Sequence, residues 1–223
     1  MSIKLFISAI IKFILGFVIV GALIFVPAGT LEYWNGWLFM GLLFVPMFIA
    51  GIILMLKNPK LLKKRLNAKE KESEQKVVIL FSAMMFIAGF VIAGLNYRYN
   101  WIKLPTAVTI VASIIFVLAY VLYAEVLREN TYLSRTIEVQ KGQKVIDTGL
   151  YGIVRHPMYA VTIDLFLMIP LILGSIISFC IFLIYPIIIG LRIKNEEHVL
   201  EKELKGYKEY KKKVKYKILP FIW

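Results

Sequence analysis

The chain has 223 residues, 60% of them hydrophobic, with a mean hydropathy of +0.76. That is too apolar for a soluble domain of this length: it reads as a polytopic helical membrane protein and leaves no room for a second, soluble catalytic domain. The formal charge of +13 does not point to nucleic acid, because the basic residues cluster at 57–76, 128–155 and 192–217 beside apolar runs, as the positive-inside rule and anionic lipid headgroups require. Single-strand binders instead interleave bases with exposed aromatics. Cys180 lies inside an apolar run and is expected as a buried thiol, supporting neither a disulfide framework nor a Cys-based metal site. His156 and His198 are too few and too isolated for a His-rich metal site, so no metal is expected.

In chain order, residues 5–26 form a first span, long enough to cross a bilayer, which needs roughly 20 residues. It lacks a small-x-small ending, and Pro27-Ala28-Gly29 follows as a turn, so the span reads as uncleaved. Residues 37–56 form the second, with Trp34 and Trp37 as interfacial anchors. A charged loop, helical in part, occupies 57–76. Residues 77–95 are the third span, with Tyr97, Tyr99 and Trp101 at its far interface, and 104–127 are the fourth, opened by Pro105 near its first turn. The polar stretch 128–157, with Gly142 and Gly149 as turn residues, is too long for an ordinary connector, and such loops are often functional.

Residues 158–190 read as an apolar helical hairpin broken at Gly174-Ser175, with Pro170 and Pro186 tolerated inside it. A basic amphipathic tail helix is expected over 192–215, carrying Leu200, Leu204 and Tyr207 on one side. The expected fold is thus all-α: four spans, a C-terminal helical hairpin and a cytoplasmic tail helix. Residues 1–127 form the scaffold and 128–223 the catalytic region. If the 57–76 loop is cytoplasmic, so are both termini and the 128–157 region, and the opposite side carries only Arg98 and Lys103 among basic residues.

Two polar stretches bracket the hairpin. Arg192 and Glu196 are spaced i, i+4 and share one helix face, which by itself describes a common surface ion pair of little worth. Glu197 adds a second carboxylate, costly unless each has its own partner. His156-Pro157 has an ordinary reading as a helix start with proline in the first turn. Asp164, inside the apolar hairpin, reads either as a site residue or as a structural hydrogen-bond partner of a neighbouring helix. If the hairpin returns to its starting side, Arg155, His156, Tyr159, Arg192, Glu196 and Glu197 meet at one membrane–water boundary. Such a polar pocket over apolar helices suits a soluble zwitterion reacting with a lipid.

The ordered set Arg-His-Pro-x-Tyr (155–159), Arg-Ile-x-x-Glu-Glu (192–197), Gly-Tyr-x-x-Tyr (206–210) and Leu-Pro-Phe-Ile (219–222) resembles the isoprenylcysteine carboxyl methyltransferase and phospholipid methyltransferase superfamily, over residues 127–223. The resemblance implies a membrane-embedded methyltransferase that uses S-adenosylmethionine without a Rossmann domain. Carried over by position, Gln140, Gln143, Lys144, Val145, Ile146 and Tyr151 would line the adenosine and methionine portions of the cofactor. His156, Pro157, Met158 and Tyr159 would hold it at the helix start. Glu196 would accept hydrogen bonds from its hydroxyl or ammonium groups, with Glu197 in support. Arg192 would face a carboxylate or phosphate of a lipidic acceptor, alongside Tyr159 and Asp164 as the other catalytic candidates. Val161 stands where many relatives have a small residue, and Asp164 is not part of the family's pattern; both bear on the acceptor more than on the cofactor. A nicotinamide-dependent reductase of the same fold, or a membrane binding or transport protein, are the alternatives, the last weakened by the absence of internal repeats.

Overall fold

The computed structural model describes residues 3–66, 73–133 and 139–223, with side chains described from 76 onward in the second stretch. Residues 67–72 of the expected charged loop, and Ser134 and Arg135 beyond the fourth span, lie outside the described residues. The long helices are α1 (Ile3–Ala28), α2 (Trp34–Lys57), α4 (Ser73–Tyr99) and α5 (Thr106–Glu129), with a short basic helix, α3 (Pro59–Leu66), after α2. An irregular stretch containing one 3-10 turn, Gly149–Gly152, leads to α6 (Pro157–Ile172), α7 (Ile176–Phe182), α8 (Tyr185–Glu203) and α9 (Tyr207–Lys213). Among the described residues there is no strand. Among the described residues five segments are long and apolar enough to cross a membrane, α7 and α8 counting together as one, and α6 is a shorter apolar helix. Helix is the form such sequences must take in lipid, where every backbone N–H and C=O has to be satisfied within its own segment.

The helices pack where side chains are small. A Cβ at Gly94 would lie 2.5 Å from the Ile24 carbonyl oxygen, so α4 and α1 touch backbone to backbone there. Gly89 likewise leaves room for the Phe182 ring, which a Cβ would meet at 2.2 Å, and Ser178 Oγ donates to the Gly89 carbonyl at 2.8 Å, holding α7 on α4. Phe39, Phe116, Phe182, Ile24 and Ile172 fill the interior, while Ile14, Val18, Ile114 and Leu118 point outward, as they should toward lipid. Cys180 is among the outward-facing residues of α7, so the expectation of a buried thiol is corrected. The side of α7 that meets α4 is taken by Ser178 and Phe182.

The bundle has two distinct ends. At one, Asn35 Nδ2 donates to the Ile172 carbonyl at 2.7 Å, Tyr33 donates to the Leu173 carbonyl, and Tyr33 stacks on Tyr97 with ring centroids 4.2 Å apart. Gly174 turns the hairpin there with φ at 74°, and Ser175 caps α7 by accepting from the Ser178 amide. At the other end lie α3, the 139–156 stretch, the start of α6 and the close of α8. Lys12 Nζ donates to the Leu66 carbonyl at 2.6 Å, and Lys64 donates to Gln140 Oε1.

The tail departs from the expected single helix over 192–215. Residues 192–203 instead continue α8, because no breaker separates them from the hairpin's second arm: Gly190 alone is tolerated inside a helix. The break comes at Gly206, whose φ of 87° no side-chain-bearing residue adopts readily, and a short α9 follows.

Candidate active site

The site is built at the second end, and its first wall is a turn. Gly149 has φ at 52°, and a Cβ there would fall 1.3 Å from Glu129 Oε1, so only glycine lets the turn close against that carboxylate. Glu129 Oε2 accepts from the Leu150 amide at 3.0 Å and anchors the turn to the end of α5. The turn thereby presents Tyr151, which lines the cleft beside Asn130 and whose carbonyl accepts from Tyr210 at 2.7 Å. Burial pushes the Tyr151 hydroxyl well above the usual tyrosine range, so it stays protonated at physiological pH.

Next comes the helix start. Pro157 occupies the first position of α6, where its missing N–H costs nothing, with His156 as the capping residue. The His156 side chain makes no cap hydrogen bond; its Nε2 lies 3.1 Å from Glu197 Oε1. Arg155 Nε donates to the same oxygen at 2.7 Å, and its Nη1 donates to the Val214 and Lys215 carbonyls at 2.8 and 2.7 Å. The Arg155 and His156 amides donate to the Tyr216 and Lys217 carbonyls at 2.9 and 2.8 Å, so the C-terminal segment is laced to the Arg-His-Pro turn. Lys211 Nζ reaches Glu197 Oε2 at 3.4 Å. Arg155, His156 and Glu197 are all about 5% exposed, and the paired charges satisfy one another there.

The neighbouring carboxylate does something else. Tyr159 donates its hydroxyl hydrogen to Glu196 Oε2 at 2.5 Å and accepts from Arg192 Nε at 2.9 Å. Arg192 and Glu196, one turn apart on α8, are therefore joined through a residue of α6. All three line one open cleft at this end of the bundle. Gln143, Lys144, Val145 and Ile146 form one side, and Tyr151, His156 and Met158 another.

Gln140, Pro157, Glu197 and Asp164 are outside the lining. Gln140 is turned to Tyr132 and Lys64, with its Nε2 donating to the Tyr132 carbonyl at 2.5 Å, so it shapes the wall from behind. Pro157 and Glu197 are buried beneath the cleft. Asp164 is exposed on α6 and does not join the other candidates in the cleft wall. The lining also takes in residues to which the sequence assigns no binding role: Asn130, Tyr132 and Leu133 from the polar stretch after α5, Leu200 and Leu204 near the close of α8, and Tyr210 of the Gly-Tyr-x-x-Tyr run.

Tyr207, from the same run, also lines the cleft. It is 4% exposed, and its hydroxyl is buried with no hydrogen-bond partner among the described residues. Buried polar atoms are rarely left so, and the partner of such an atom is a water or a ligand. Burial holds this hydroxyl far above its usual titration range, so it is a donor at physiological pH. Leu204, Tyr207, Tyr210 and Val214 form a small apolar cluster with Val139, Val145 and Leu200, which fixes α9 over the 139–146 wall. Lys213, bonded to Asp147 at 2.8 Å, ties the outer edge and holds that carboxyl below the usual range.

Fold and cleft together define a polytopic helical membrane protein with a polar cleft at one end of its bundle. Residues 110–202 match the model of the Isoprenylcysteine carboxyl methyltransferase (ICMT) family, somewhat under half of the chain, and that match supports a membrane methyltransferase. The matched stretch contains Arg155–Tyr159 and Arg192–Glu197, two of the four motifs that carry the resemblance, while those at 206–210 and 219–222 lie beyond it. The chain is also similar to the protein YpbQ of Bacillus subtilis (strain 168), described only as uncharacterized: 25% identical over 169 residues, covering 74% of this chain and 96% of that protein.

Proposed function

We propose that the protein transfers a methyl group from S-adenosylmethionine to the polar head of a lipidic acceptor, a carboxylate being the form best suited to the site. The observation that carries this reading is the Arg192–Tyr159–Glu196 chain in the cleft wall, which sets a cation and an anion side by side where membrane helices meet solvent. The residues present fit the cofactor. Glu196 offers an acceptor for its ammonium or ribose hydroxyls, the orphaned Tyr207 hydroxyl offers a donor, and the wall 143–146 offers backbone and apolar surface.

A sulfonium supplies an already activated methyl group, and its in-line displacement demands positioning above all. Glu196 binds, and Tyr159 holds that carboxylate in place. Arg192 orients the acceptor, since a guanidinium fork matches carboxylate or phosphate oxygens. A carboxylate acceptor is its own nucleophile, so no general base is required. The low dielectric at the membrane boundary strengthens each of these interactions. The cleft and both termini are assigned to the cytoplasmic side, on the ground that the opposite end of the bundle carries only Arg98 and Lys103 as basic residues.

The test is a calorimetric titration of the detergent-solubilised protein with S-adenosylhomocysteine, with NADPH as the comparison. Saturable binding of the first, lost in Glu196→Gln, is the expected result. Equal binding by Glu196→Gln and the parent, or binding of NADPH alone, would overturn the proposal.

A further inference from the structure

Helix α3 (PKLLKKRL) has no acidic residue and carries Lys60, Lys63, Lys64 and Arg65 in two turns. Its two faces are sharply divided. Leu61 and Leu62 are buried, and Asn58 Oδ1 caps the helix by accepting from the Leu61 amide at 3.1 Å. The inward side reaches the wall of the cleft: Lys64 donates to Gln140 Oε1, and Arg65 Nη1 lies 3.9 Å from the sulfur of Met158, a lining residue. The Arg65 guanidinium also sits over the Tyr123 ring of α5, 5.5 Å from its centroid. The outward side is different in kind. Lys60 and Lys63 are exposed one turn apart on α3, and Lys57, exposed in the last turn of α2, stands just across the break at Asn58.

These lysines stand where an apolar helix ends and polar structure begins. Basic residues bordering a span are attracted to anionic lipid over about a Debye length. In the basic tail Lys211 and Lys213 are committed to Glu197, Glu201 and Asp147, while Lys205, Lys208 and Lys212 are exposed like the lysines of α3 and serve as the comparison.

We propose that α3 is a docking helix for anionic phospholipid headgroups, bound by Lys57, Lys60 and Lys63, which seats acid-headed lipid at the rim of the cleft. The buried leucines fix the helix and Arg65 carries its position to Met158, so lipid held on the outer face is held beside the site. The inference concerns this face alone, and its test needs no cofactor, so its failure is separable from failure of the proposed methyl transfer.

The test is lipid retention. The full chain is purified from mixed micelles holding equal phosphatidylglycerol and phosphatidylcholine, and the retained lipid is measured. The parent is expected to hold phosphatidylglycerol in about tenfold excess, K57Q/K60Q/K63Q to fall near parity, and K205Q/K208Q/K212Q in the tail to keep the excess. Each variant's thermal unfolding, matched to the parent, shows that it is folded. Parity in the parent, an undiminished excess in the α3 variant, or an equal loss in the tail variant overturns the proposal, the last because charge anywhere would then suffice. Displacement of the excess by millimolar inorganic phosphate also overturns it, since the site would then read a free anion rather than a lipid surface.

Discussion

Tyr159 donates its hydroxyl hydrogen to Glu196 at 2.5 Å from a different helix, and through that contact α6 governs how the carboxylate of α8 faces the cleft. Arg192 donates to the same hydroxyl, so one atom orders both charges. Tyr159→Phe keeps the buried ring and removes only that atom. The variant should unfold near the parent temperature yet bind S-adenosylhomocysteine about tenfold more weakly, given about 1.5 kcal/mol for a hydrogen bond to a charged group. Calorimetry alongside a melting curve separates the two, and unchanged affinity would show that the link has no part in binding.

Adjacent carboxylates should behave oppositely. Glu197 meets Arg155, His156 and Lys211 beneath the cleft, so Glu197→Ala leaves buried positive charge without a partner. That loss costs about 3–5 kcal/mol and should lower the melting temperature on the order of 10 °C. Glu196→Gln should leave the melting temperature alone and remove ligand binding. A reversal of this pattern would mean the roles of the two residues have been exchanged.

Tyr207→Phe should move two observables in opposite directions. Deleting a buried hydroxyl without a partner raises the stability of the ligand-free protein by about 1 kcal/mol. It should also shrink the thermal shift produced by saturating S-adenosylhomocysteine. If stability falls instead, the hydroxyl has a partner in solution, and its assignment to the ligand fails.

Gly149→Ala places a methyl group into the Glu129 carboxylate and adds about 1–2 kcal/mol of backbone strain from the positive φ. The turn should shift, taking Tyr151 with it, and ligand affinity should drop. Combining it with Glu129→Ala opens the space. The double variant should recover part of the loss, and strict additivity in the binding constants would argue against the contact.

The orientation is tested by thiol labelling in sealed vesicles. Cys180 faces outward and must first be replaced, after which single cysteines at Lys208 and Tyr97 should label from opposite sides. Labelling of both from one side would refute the assignment.

The helices were legible in the sequence because their causes are local. Long apolar runs must be helical in lipid, proline at 157 starts α6 without loss, and Gly174 supplies the positive φ that turns the hairpin. The nearness of Arg155–Tyr159 to Arg192–Glu197 followed from hairpin geometry alone. What the sequence left undivided was the pair Glu196 and Glu197. Consecutive helical residues point about 100° apart, so one can line a cleft while its neighbour is buried, but which does which depends on where α6 and α9 lie. The same holds for Gln140, turned away by Lys64 and Tyr132, for Asp164 and Cys180, left on outer faces, and for Tyr207, whose orphaned hydroxyl exists only because α9 folds over the 139–146 wall. Segment identity is a property of short stretches of chain, whereas the partner of a side chain is set by packing between segments distant in sequence, and only the tertiary structure decides it.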